Sequence, residues 1–530
     1  MRRRKLERRL ERDFGRVPDP FYSRGDMELI RSYYDYRRKM EPNVFLIDDI
    51  TWNDLELDRV FRRLNPGLSA SGEQYLYYML RSPSQDAETY RERRELIALM
   101  EGDPSLRLKL QVLLSILGCS RRDDFTQAFS PEARGKGWLF CYLLLALLAV
   151  AALVFFAFVP QWGALPVFGA FSVNGLVHEL RKRRVQRDFD AVNYSIALIT
   201  ALHRMRKLRE PALDRQLERA YQNLERLRTL ARVGGVASVS DNGRLEDVPV
   251  TLFLLDLIVY EYSKNKLWRR KEDVFAVHET VGRIDAAIAI ASYRASVPNF
   301  AEPDLDFDGR NAYYCALDMT HPLLEKAVPN DLNAARPVLV TGSNASGKST
   351  YLKTAALCAL LAQSICTCPA RKYTASAFRI FSSMALRDDM LAGESYFIVE
   401  TRSLGRILTS AASPGRPVFC VIDEVLRGTN TVERVAASSV ILDEAARRGL
   451  LCLAATHDLE LCSLLEEGYD LCHFEETPTE DGIAFDYRVH AGPTKSRNAI
   501  ELLRQMGFPD TIVEKAHARA DHYSKTGIWK

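Results

Sequence analysis

A run of 22 residues without a charged side chain, Trp138 to Val159, places the strongest constraint on how this 530-residue chain can fold. As an α-helix rising about 1.5 Å per residue, the run would cover the ~30 Å hydrocarbon core of a bilayer. Residues 160–162 interrupt it, and a second uncharged stretch then continues to Val177 with three glycines, one serine and one asparagine. The pattern predicts a transmembrane helical hairpin over residues 138–177, whose second helix is the weaker of the two.

Basic residues flank this hairpin on both sides, since Arg134 and Lys136 precede it and the run Arg181 to Arg184 follows it. Positive charge is retained on the cytoplasmic side of membranes. Both ends of the hairpin, and the domain that follows it, are therefore expected in the cytoplasm, with membrane lipid as the partner of residues 138–177. Two alternatives are a second segment that re-enters without crossing, and a helix buried in a large soluble protein.

The pattern of apolar and polar residues divides the rest of the chain into helical regions and a mixed α/β region. The predicted domains are a basic helical arm over residues 1–40, a helical region over 41–135, the hairpin over 138–177, long helices over 181–300 and an α/β domain over 301–530. The formal net charge of +3 is nearly neutral, so any nucleic-acid contact would need a local basic patch. Ten cysteines without paired spacings indicate reduced thiols rather than a disulfide framework or a metal site.

The segment TGSNASGKST, Thr341 to Thr350, follows the apolar run PVLV and precedes a helix-forming stretch. It contains the phosphate-loop pattern G-x-x-x-x-G-K-[ST] in the required strand–loop–helix context. Glycines allow backbone amides to face phosphates, and the N-terminus of the following helix adds partial positive charge. Lys348 is expected to reach the β- and γ-phosphates, and the Ser349 hydroxyl to ligate Mg²⁺. The predicted nucleotide-binding residues are Gly342, Ser343, Asn344, Ala345, Ser346, Gly347, Lys348, Ser349 and Thr350.

Two further apolar strands end in side chains suited to nucleotide hydrolysis. VFCVIDE ends in Asp423, which suits Mg²⁺ coordination, and Glu424, which is placed to act as general base on the attacking water. LLCLAATH ends at His457, which is expected to sense the γ-phosphate. Solvated acids at a strand end and a structural histidine are the alternatives. Together with the phosphate loop, these residues predict a Mg²⁺-dependent ATPase that converts ATP to ADP and phosphate.

Two families of ATPase have this arrangement of strands. An ABC-type domain would need an LSGGQ-like signature before the Asp-Glu strand, and residues 387–417 contain none. That interval instead resembles the MutS pattern of two aspartates followed by G-x-S-[TY]-F-[MI]-V-E, here Asp388, Asp389 and then GESYFIVE, Gly393 to Glu400. IDEVLRGTNTVER, ATHDLEL and HPLLEKAVPNDL also resemble MutS segments. In order and spacing, these matches cover Asp318 to about Ser496.

The resemblance to the MutS family implies a P-loop NTPase fold for residues 301–530, with ATP and Mg²⁺ as cofactors. It implies a homodimer through the ATPase domains, in which Ser395 would reach the γ-phosphate bound by the partner. Upstream, the resemblance is weaker: residues 51–83 are similar to the start of the MutS core, and 284–295 to the end of its lever helix. Region 41–135 is thus expected to be core-like and 181–300 lever-like, and DNA is a possible partner.

Several departures from the MutS pattern affect the expected function. The sequence has no F-x-E wedge motif, and no room precedes the core for a mismatch-reading domain. Ala327 stands where the family often stacks a phenylalanine on adenine, so Tyr487 is predicted to bind the base instead. The chain is therefore expected to be an ATP-dependent DNA-binding protein related to mismatch repair and located at the membrane. The alternative is a membrane-anchored, ATP-driven mechanical or signalling protein that does not read mismatches.

Overall fold

The chain forms two compact units, each built from several stretches of sequence. The computed structural model describes residues 2–18, 20–119, 129, 137–230, 248–309, 311–343, 346–384, 396–412, 415–427, 429–479, 482–493, 500, 503–504, 507–526 and 528. The first unit comprises Met1–Val44, Phe61–Met79 and Arg91–Ser296, and the second Phe45–Val60, Leu80–Tyr90 and Val297–Lys530. The prediction of a helical N-terminal region followed by a mixed α/β C-terminal region is confirmed.

Helices account for the regular structure up to Ser296. In chain order they are α1 Arg2–Asp13, α2 Arg24–Met40, α3 Asp49–Asp54, α4 Leu57–Leu64, α5 Ala70–Arg81, α6 Ala87–Gly102, α7 Pro104–Leu117, α8 Leu139–Phe158, α9 Pro160–Arg206, α10 Pro211–Arg226, α11 Val248–Leu252, α12 Leu255–Arg269 and α13 Lys271–Ser296. Local sequence signals explain where α7 begins. Asp103 caps α7 by accepting from the Leu106 amide at 2.9 Å, and Pro104 occupies the first helical position, where no amide is needed.

The predicted hairpin corresponds to α8 and the first part of α9. α8 ends at Phe158 and α9 begins at Pro160, so the two helices pack side by side after a one-residue connection. Gly163 allows the close approach, because a Cβ there would lie 2.4 Å from the Cα of Phe156. Within the described residues, α8 alone is long and apolar enough to cross a membrane, and it is 17% buried. α9 contains Ser172, Asn174, glycines and two prolines in its first turns, which makes it more polar.

The second unit contains the strands and the remaining helices. They are β1 Asp304–Asp306, β2 Tyr314–Met319, β3 Asn330–Ala334, β4 Val338–Thr341, α14 Lys348–Ile365, β5 Lys372–Ser376, β6 Arg379–Ser383, α15 Tyr396–Ala412, β7 Val418–Asp423, α16 Thr431–Arg447, β8 Leu451–Thr456, α17 Glu460–Leu464, β9 Asp470–Thr479, β10 Gly482–Ala491 and α18 Asp510–Thr526. A four-stranded sheet has the order β1-β5-β2-β3, and a six-stranded sheet has the order β10-β9-β4-β8-β7-β6.

The register of the six-stranded sheet positions the candidate site. The five strands β9, β4, β8, β7 and β6 run parallel to one another, and β10 pairs with β9 in the antiparallel direction. Thr341 at the end of β4 is opposite Thr456 at the end of β8, and Asp423 at the end of β7 is opposite Ala455. The residues that follow these strands therefore leave the sheet at one edge, as ligand-binding residues do in parallel α/β sheets.

Candidate functional site

The loop between β4 and α14 has a backbone that glycine alone adopts easily at two positions. Gly342 has φ 141° and Gly347 has φ 106°. A Cβ on Gly342 would lie 3.0 Å from the Ser346 Oγ and 3.2 Å from the Phe474 carbonyl oxygen. The predicted loop residues Asn344 and Ala345 lie outside the described residues. The described glycines thus have the close-packed geometry that a phosphate loop requires.

Lys348, the first residue of α14, is buried beneath this loop. Its Nζ donates to the carbonyl oxygens of Gly342 and Ser343, both at 2.6 Å. Burial lowers the pKa of the Lys348 ammonium, although the negative charges of Glu424 and Asp423 oppose that change. Ser346 closes the loop by donating from its Oγ to the Ser343 carbonyl at 2.8 Å. The ammonium therefore lies on the loop axis, where phosphate oxygens could replace the two carbonyls as acceptors.

Asp423 is the last residue of β7 and Glu424 follows it, and both carboxylates lie near Arg427. The Arg427 Nε lies 2.6 Å from Glu424 Oε2, and the Arg427 Nη2 lies 3.6 Å from Asp423 Oδ2. The other carboxylate oxygen of Asp423, Oδ1, is buried without a hydrogen-bond partner among the described residues. A buried, unpartnered carboxylate oxygen is costly unless a ligand satisfies it. This oxygen fits the Mg²⁺ ligand that the sequence predicts, and the Ser349 hydroxyl is part of the adjacent helix start.

Glu424 is held in an uncommon backbone conformation and contacts His457. Its φ is 59°, in the left-handed region, and its amide donates to the Ala455 carbonyl of β8 at 3.0 Å. The His457 Nδ1 lies 3.2 Å from Glu424 Oε1. Burial disfavours the charged carboxylate, but the hydrogen bond from His457 and the charge of Arg427 hold the pKa of Glu424 below its ordinary value. The same hydrogen bond raises the pKa of His457.

Arg434 and Asp458 complete the site, and the sequence analysis assigned them no role. The Arg434 Nε donates to Asp458 Oδ2 at 2.9 Å, and its Nη2 donates to Asp458 Oδ1 at 2.6 Å. The same Nη2 lies 3.5 Å from His457 Nε2. A guanidinium can only donate, so Nε2 of a neutral His457 accepts and Nδ1 carries the proton directed at Glu424. The signal that could have identified them is their place in IDEVLRGTNTVER, which ends at Arg434, and in ATHDLEL, which contains Asp458. Their pairing was not predicted, because 24 residues separate them in the chain.

A cavity of about 310 Å³ adjoins the loop on the side of β3 and β10. Three of its lining residues belong to the predicted phosphate loop and helix start, namely Gly347, Ser349 and Thr350. The others are Met319, His321, Leu324, Lys326, Ala327, Val328, Asn330, Tyr351, Thr354, Phe474 and Tyr487. The mixture of an aromatic wall, apolar side chains and a few polar groups beside a phosphate loop suits a nucleoside.

Tyr487, which the sequence analysis predicted to bind the base, lies in the wall of this cavity. A Cβ on Gly347 would be 3.3 Å from the ring carbon Cδ1 of Tyr487, so ring and loop are neighbours. Tyr487 has φ 54° and lies where the β9–β10 register shifts. Asn330 stabilises that irregularity, donating from Nδ2 to the Tyr487 carbonyl and accepting from the Val489 amide, both at 2.8 Å. Ala327 lines the same cavity.

His321 is a cavity residue that the sequence analysis did not single out. Burial, with the nearby charge of Lys353, lowers the pKa of His321 to about 4, so the imidazole is neutral at physiological pH. Its Nδ1 accepts from the Leu323 amide at 3.3 Å. The neutral ring therefore adds a flat, uncharged surface to the cavity. The signal that could have identified it is its place in HPLLEKAVPNDL, the segment before the loop.

Ser395, predicted to act on a partner's nucleotide, lies outside the described residues, as do Asp388, Asp389 and Gly393. The last residue of that segment, Glu400, is on α15, and its Oε1 accepts from the Leu426 amide at 2.7 Å. Burial raises the pKa of Glu400. Glu400 thereby ties α15 to the loop that begins with Glu424.

Comparisons with known proteins identify the family of this region. Residues 338–524 match the family model for MutS domain V. The DNA mismatch repair protein MutS of Thermotoga maritima is 31% identical over 263 residues, which are 47% of this chain and 32% of that protein. DNA mismatch repair protein MutS 2 of Halobacterium salinarum is 32% identical over 262 residues, 47% of this chain and 29% of that protein.

The DNA mismatch repair protein MutS of Thermus thermophilus is 34% identical over 203 residues, 37% of this chain and 25% of that protein. The match to this chain thus spans a third or less of the length of these curated relatives. The family-model match includes the β4–α14 loop, the ends of β7 and β8, and most of α18. The C-terminal region of this chain therefore belongs to the MutS family.

Proposed function

We propose that this chain binds and hydrolyses Mg²⁺–ATP, and that it is a DNA-binding protein related to mismatch repair which works at a membrane. The observation that carries the ATPase proposal is the convergence of Lys348, Asp423, Glu424 and His457 at one sheet edge of a MutS-family domain. The relatives reported above are named DNA mismatch repair proteins, which supports DNA as the partner.

The chemistry follows from the described side chains. Backbone amides of the loop and the Lys348 ammonium would neutralise the phosphates. Asp423 Oδ1 and the Ser349 hydroxyl would hold Mg²⁺, which would stabilise the negative charge that develops on the phosphates. Glu424 remains ionised because its pKa is low, so it can accept the proton of the attacking water. His457 orients Glu424 through the Nδ1–Oε1 contact.

The base is proposed to occupy the cavity beside Gly347. Tyr487 would stack on one face of adenine, and the cavity volume of about 310 Å³ is of the size expected for a nucleoside site. In the dimer that the family implies, Ser395 would complete the site of the partner.

The test is the ATPase activity of the full-length protein, measured with homoduplex, mismatched or branched DNA at stated salt, because salt governs such binding. We expect DNA to stimulate turnover, most strongly for the preferred structure. Lys348→Ala is the matched control and should lose nucleotide binding, since a buried ammonium is the loop's cation. Unchanged ATPase activity in Lys348→Ala would disprove the site assignment.

A DNA-independent ATPase would favour the second candidate function, a membrane-anchored mechanical or signalling protein. The observation that favours this candidate is the apolar hairpin in the helical region. Its side chains remain exposed, for example Phe140 at 77%, Phe158 at 82% and Leu165 at 75%. Exposed apolar surface of this extent supports a contact with lipid or another apolar partner.

We propose that the hairpin lies in the membrane with the C-terminal domain in the cytoplasm. Fractionation of cells that express either the full chain or a chain without residues 138–177 tests this location. The full chain should sediment with membranes and resist extraction by high salt, whereas the deletion should release it. Full-length protein in the soluble fraction would contradict the membrane proposal and leave the ATPase proposal standing.

A further inference from the structure

The uncharged segment Val248–Leu255 lies along the second helix of the hairpin. The Asn174 Nδ2 of α9 donates to the Leu252 carbonyl at 2.7 Å, and Asn174 is 1% exposed. The rings of Phe171 and Phe253 make an edge-to-face contact with centroids 5.8 Å apart. The segment thus packs on a part of α9 that belongs to the predicted membrane region, residues 138–177.

Contacts between α8 and α9 give the depth of this segment along the hairpin. The Arg181 Nε donates to the Tyr142 hydroxyl at 2.9 Å, and its guanidinium lies 4.3 Å from the ring centre of Trp138. Asn174 precedes Arg181 by seven residues, or about 10 Å of helix. Leu252, bonded to Asn174, therefore lies about 10 Å from the Arg181 level towards the tip of the hairpin.

This distance can be compared with the thickness of a membrane surface. Each headgroup layer is about 5–8 Å thick, and amphipathic segments sink about 5–10 Å into the boundary between headgroups and acyl chains. Arg181 to Arg184 carry four adjacent positive charges that suit anionic headgroups. With those charges at the phosphate level, Leu252 reaches the start of the acyl chains, whereas Leu254, which packs with Tyr142, lies nearer the phosphate level.

The surroundings of the segment are consistent with that position. Asp256, the first charged residue after it, is buried and pairs with His178 at 2.8 Å and Lys182 at 3.6 Å on the Arg181 side. Leu254 and Leu257 are fully buried in a small cluster with Tyr142. Leu255 in contrast is 36% exposed. The segment therefore has a side that is anchored on the hairpin, an ion-paired carboxylate directly after it and one exposed apolar side chain, Leu255.

We infer that residues 250–255 form a third lipid-contacting element, which lies at the headgroup–acyl boundary of the leaflet that the hairpin enters. The inference rests on the proposed membrane location of the hairpin. Its partner is a lipid surface that contains anionic headgroups, because the basic run lies at the adjacent level. The hairpin and this segment would together form a wedge that is wider at the cytoplasmic surface than at its tip.

Photo-crosslinking to lipid tests the inference on the full-length protein. p-Benzoylphenylalanine would replace Phe253 or, as a less buried second site, Leu255, in vesicles of phosphatidylcholine with phosphatidylglycerol. Phe168, 74% exposed in the hairpin, is the positive control. Tyr262 on α12 is the negative control: it follows Tyr260, which contacts Phe189, about 22 Å along α9 from Asn174. Lipid adducts several-fold above the position-262 level are expected at positions 253 and 255.

The outcomes separate this inference from the membrane proposal itself. If position 168 gives lipid adducts but positions 253 and 255 give no more than position 262, the inference is overturned and the hairpin remains in the membrane. If position 168 also gives no lipid adduct, both the inference and the membrane proposal are overturned. A protein adduct at 253 in native membranes, without a lipid adduct, would identify a protein as the partner and also overturn the inference. A stronger signal at 253 with phosphatidylglycerol than with phosphatidylcholine alone would support the role of Arg181 to Arg184.

Discussion

At the scale of single residues, the orientation of His457 is set from two sides. Glu424 lies at its Nδ1, 3.2 Å away, and Arg434 at its Nε2, 3.5 Å away. Asp458 holds Arg434 by two hydrogen bonds, which is the planar geometry that arginine provides and lysine does not. Arg434 is therefore a positioning residue that keeps the proton of a neutral His457 on the side of Glu424.

The first prediction concerns this orientation. Arg434→Gln should lower kcat by about tenfold with KM for ATP little changed, since about 1–1.5 kcal/mol of positioning is lost. Arg434→Lys should recover only part of the kcat that Arg434→Gln loses. Because the contact with Glu424 raises the pKa of His457, the measurement is made at a pH where the imidazole is neutral. Nitrogen NMR of labelled histidine, assigned with His457→Gln, should then show the Nδ1–H tautomer in the parent and a mixture in Arg434→Gln.

The matched control is Arg447→Gln, on the same helix but 72% exposed at its side chain. It should leave kcat and the His457 tautomer unchanged. An unaltered tautomer in Arg434→Gln would show that Glu424 alone orients the ring. The NMR readout does not depend on ATP turnover, so it tests positioning even if the ATPase proposal fails.

At the scale of elements, α13 and α5 approach each other closely at two glycines. A Cβ on Gly282 would lie 2.6 Å from the Tyr75 Cβ, and a Cβ on Gly72 would lie 2.0 Å from Asp285 Oδ2. Asp285 is buried at this crossing and accepts from the Ser69 Oγ at 2.5 Å. Burial raises the pKa of Asp285 to about 7. The crossing therefore favours a protonated, uncharged carboxyl.

The second prediction follows from the sign of this pKa change. The folded state binds the Asp285 proton more tightly than the unfolded state, so this contribution to stability is full below about pH 4 and is lost as the pH rises through about 7. At one pKa unit per about 1.4 kcal/mol, the effect amounts to a few kcal/mol. Asp285→Asn should remove this pH-dependent contribution. The difference in the stability of α13 between the parent and the variant should therefore change over this pH range.

Hydrogen exchange of the α13 amides at several pH values measures this difference. Asp35→Asn, at a half-exposed carboxylate on α2, is the control and should show no such dependence. A parent and an Asp285→Asn variant with parallel pH profiles would mean that the carboxyl is not protonated in the fold.

At the scale of the whole molecule, the proposed ATP-dependent dimer links nucleotide state to assembly. Glu424→Gln retains the size of the side chain but removes the base, so ATP should bind while hydrolysis falls by roughly 10²- to 10⁴-fold. Trapped ATP should then accumulate the dimer, which light scattering of the purified protein would detect as a doubling of protein mass. This is the third prediction.

The double variant Lys348→Ala with Glu424→Gln is the control for that experiment. It should remain at the parental mass, because without the loop cation no ATP is held. Normal turnover in Glu424→Gln would remove Glu424 from the role of base. A dimer in the double variant would show that assembly does not depend on nucleotide.

Local patterns in the sequence were sufficient for the features that depend on neighbours in the chain. The phosphate-loop glycines, the acids that end β7, the histidine that ends β8 and the uncharged run of α8 each occupy a few consecutive residues. Their chemistry follows from residue type and spacing, and the order of the MutS-like segments was enough for the family of the C-terminal region. Residues 160–206 show what local patterns do not give. The pattern predicted a second membrane helix up to residue 177, whereas the structure has one helix of 47 residues.

Only the tertiary structure decided which distant residues meet. It brought Arg434 to His457 and Asp458, and Asn330 to the turn at Tyr487. It also brought His321 into the cavity and residues 252–253 against α9. These contacts depend on strand register and helix crossing, which side chains far apart in the chain determine together. The sequence by itself therefore determined the family of the C-terminal region and predicted the candidate site residues, and the fold determined which side chains surround and orient them.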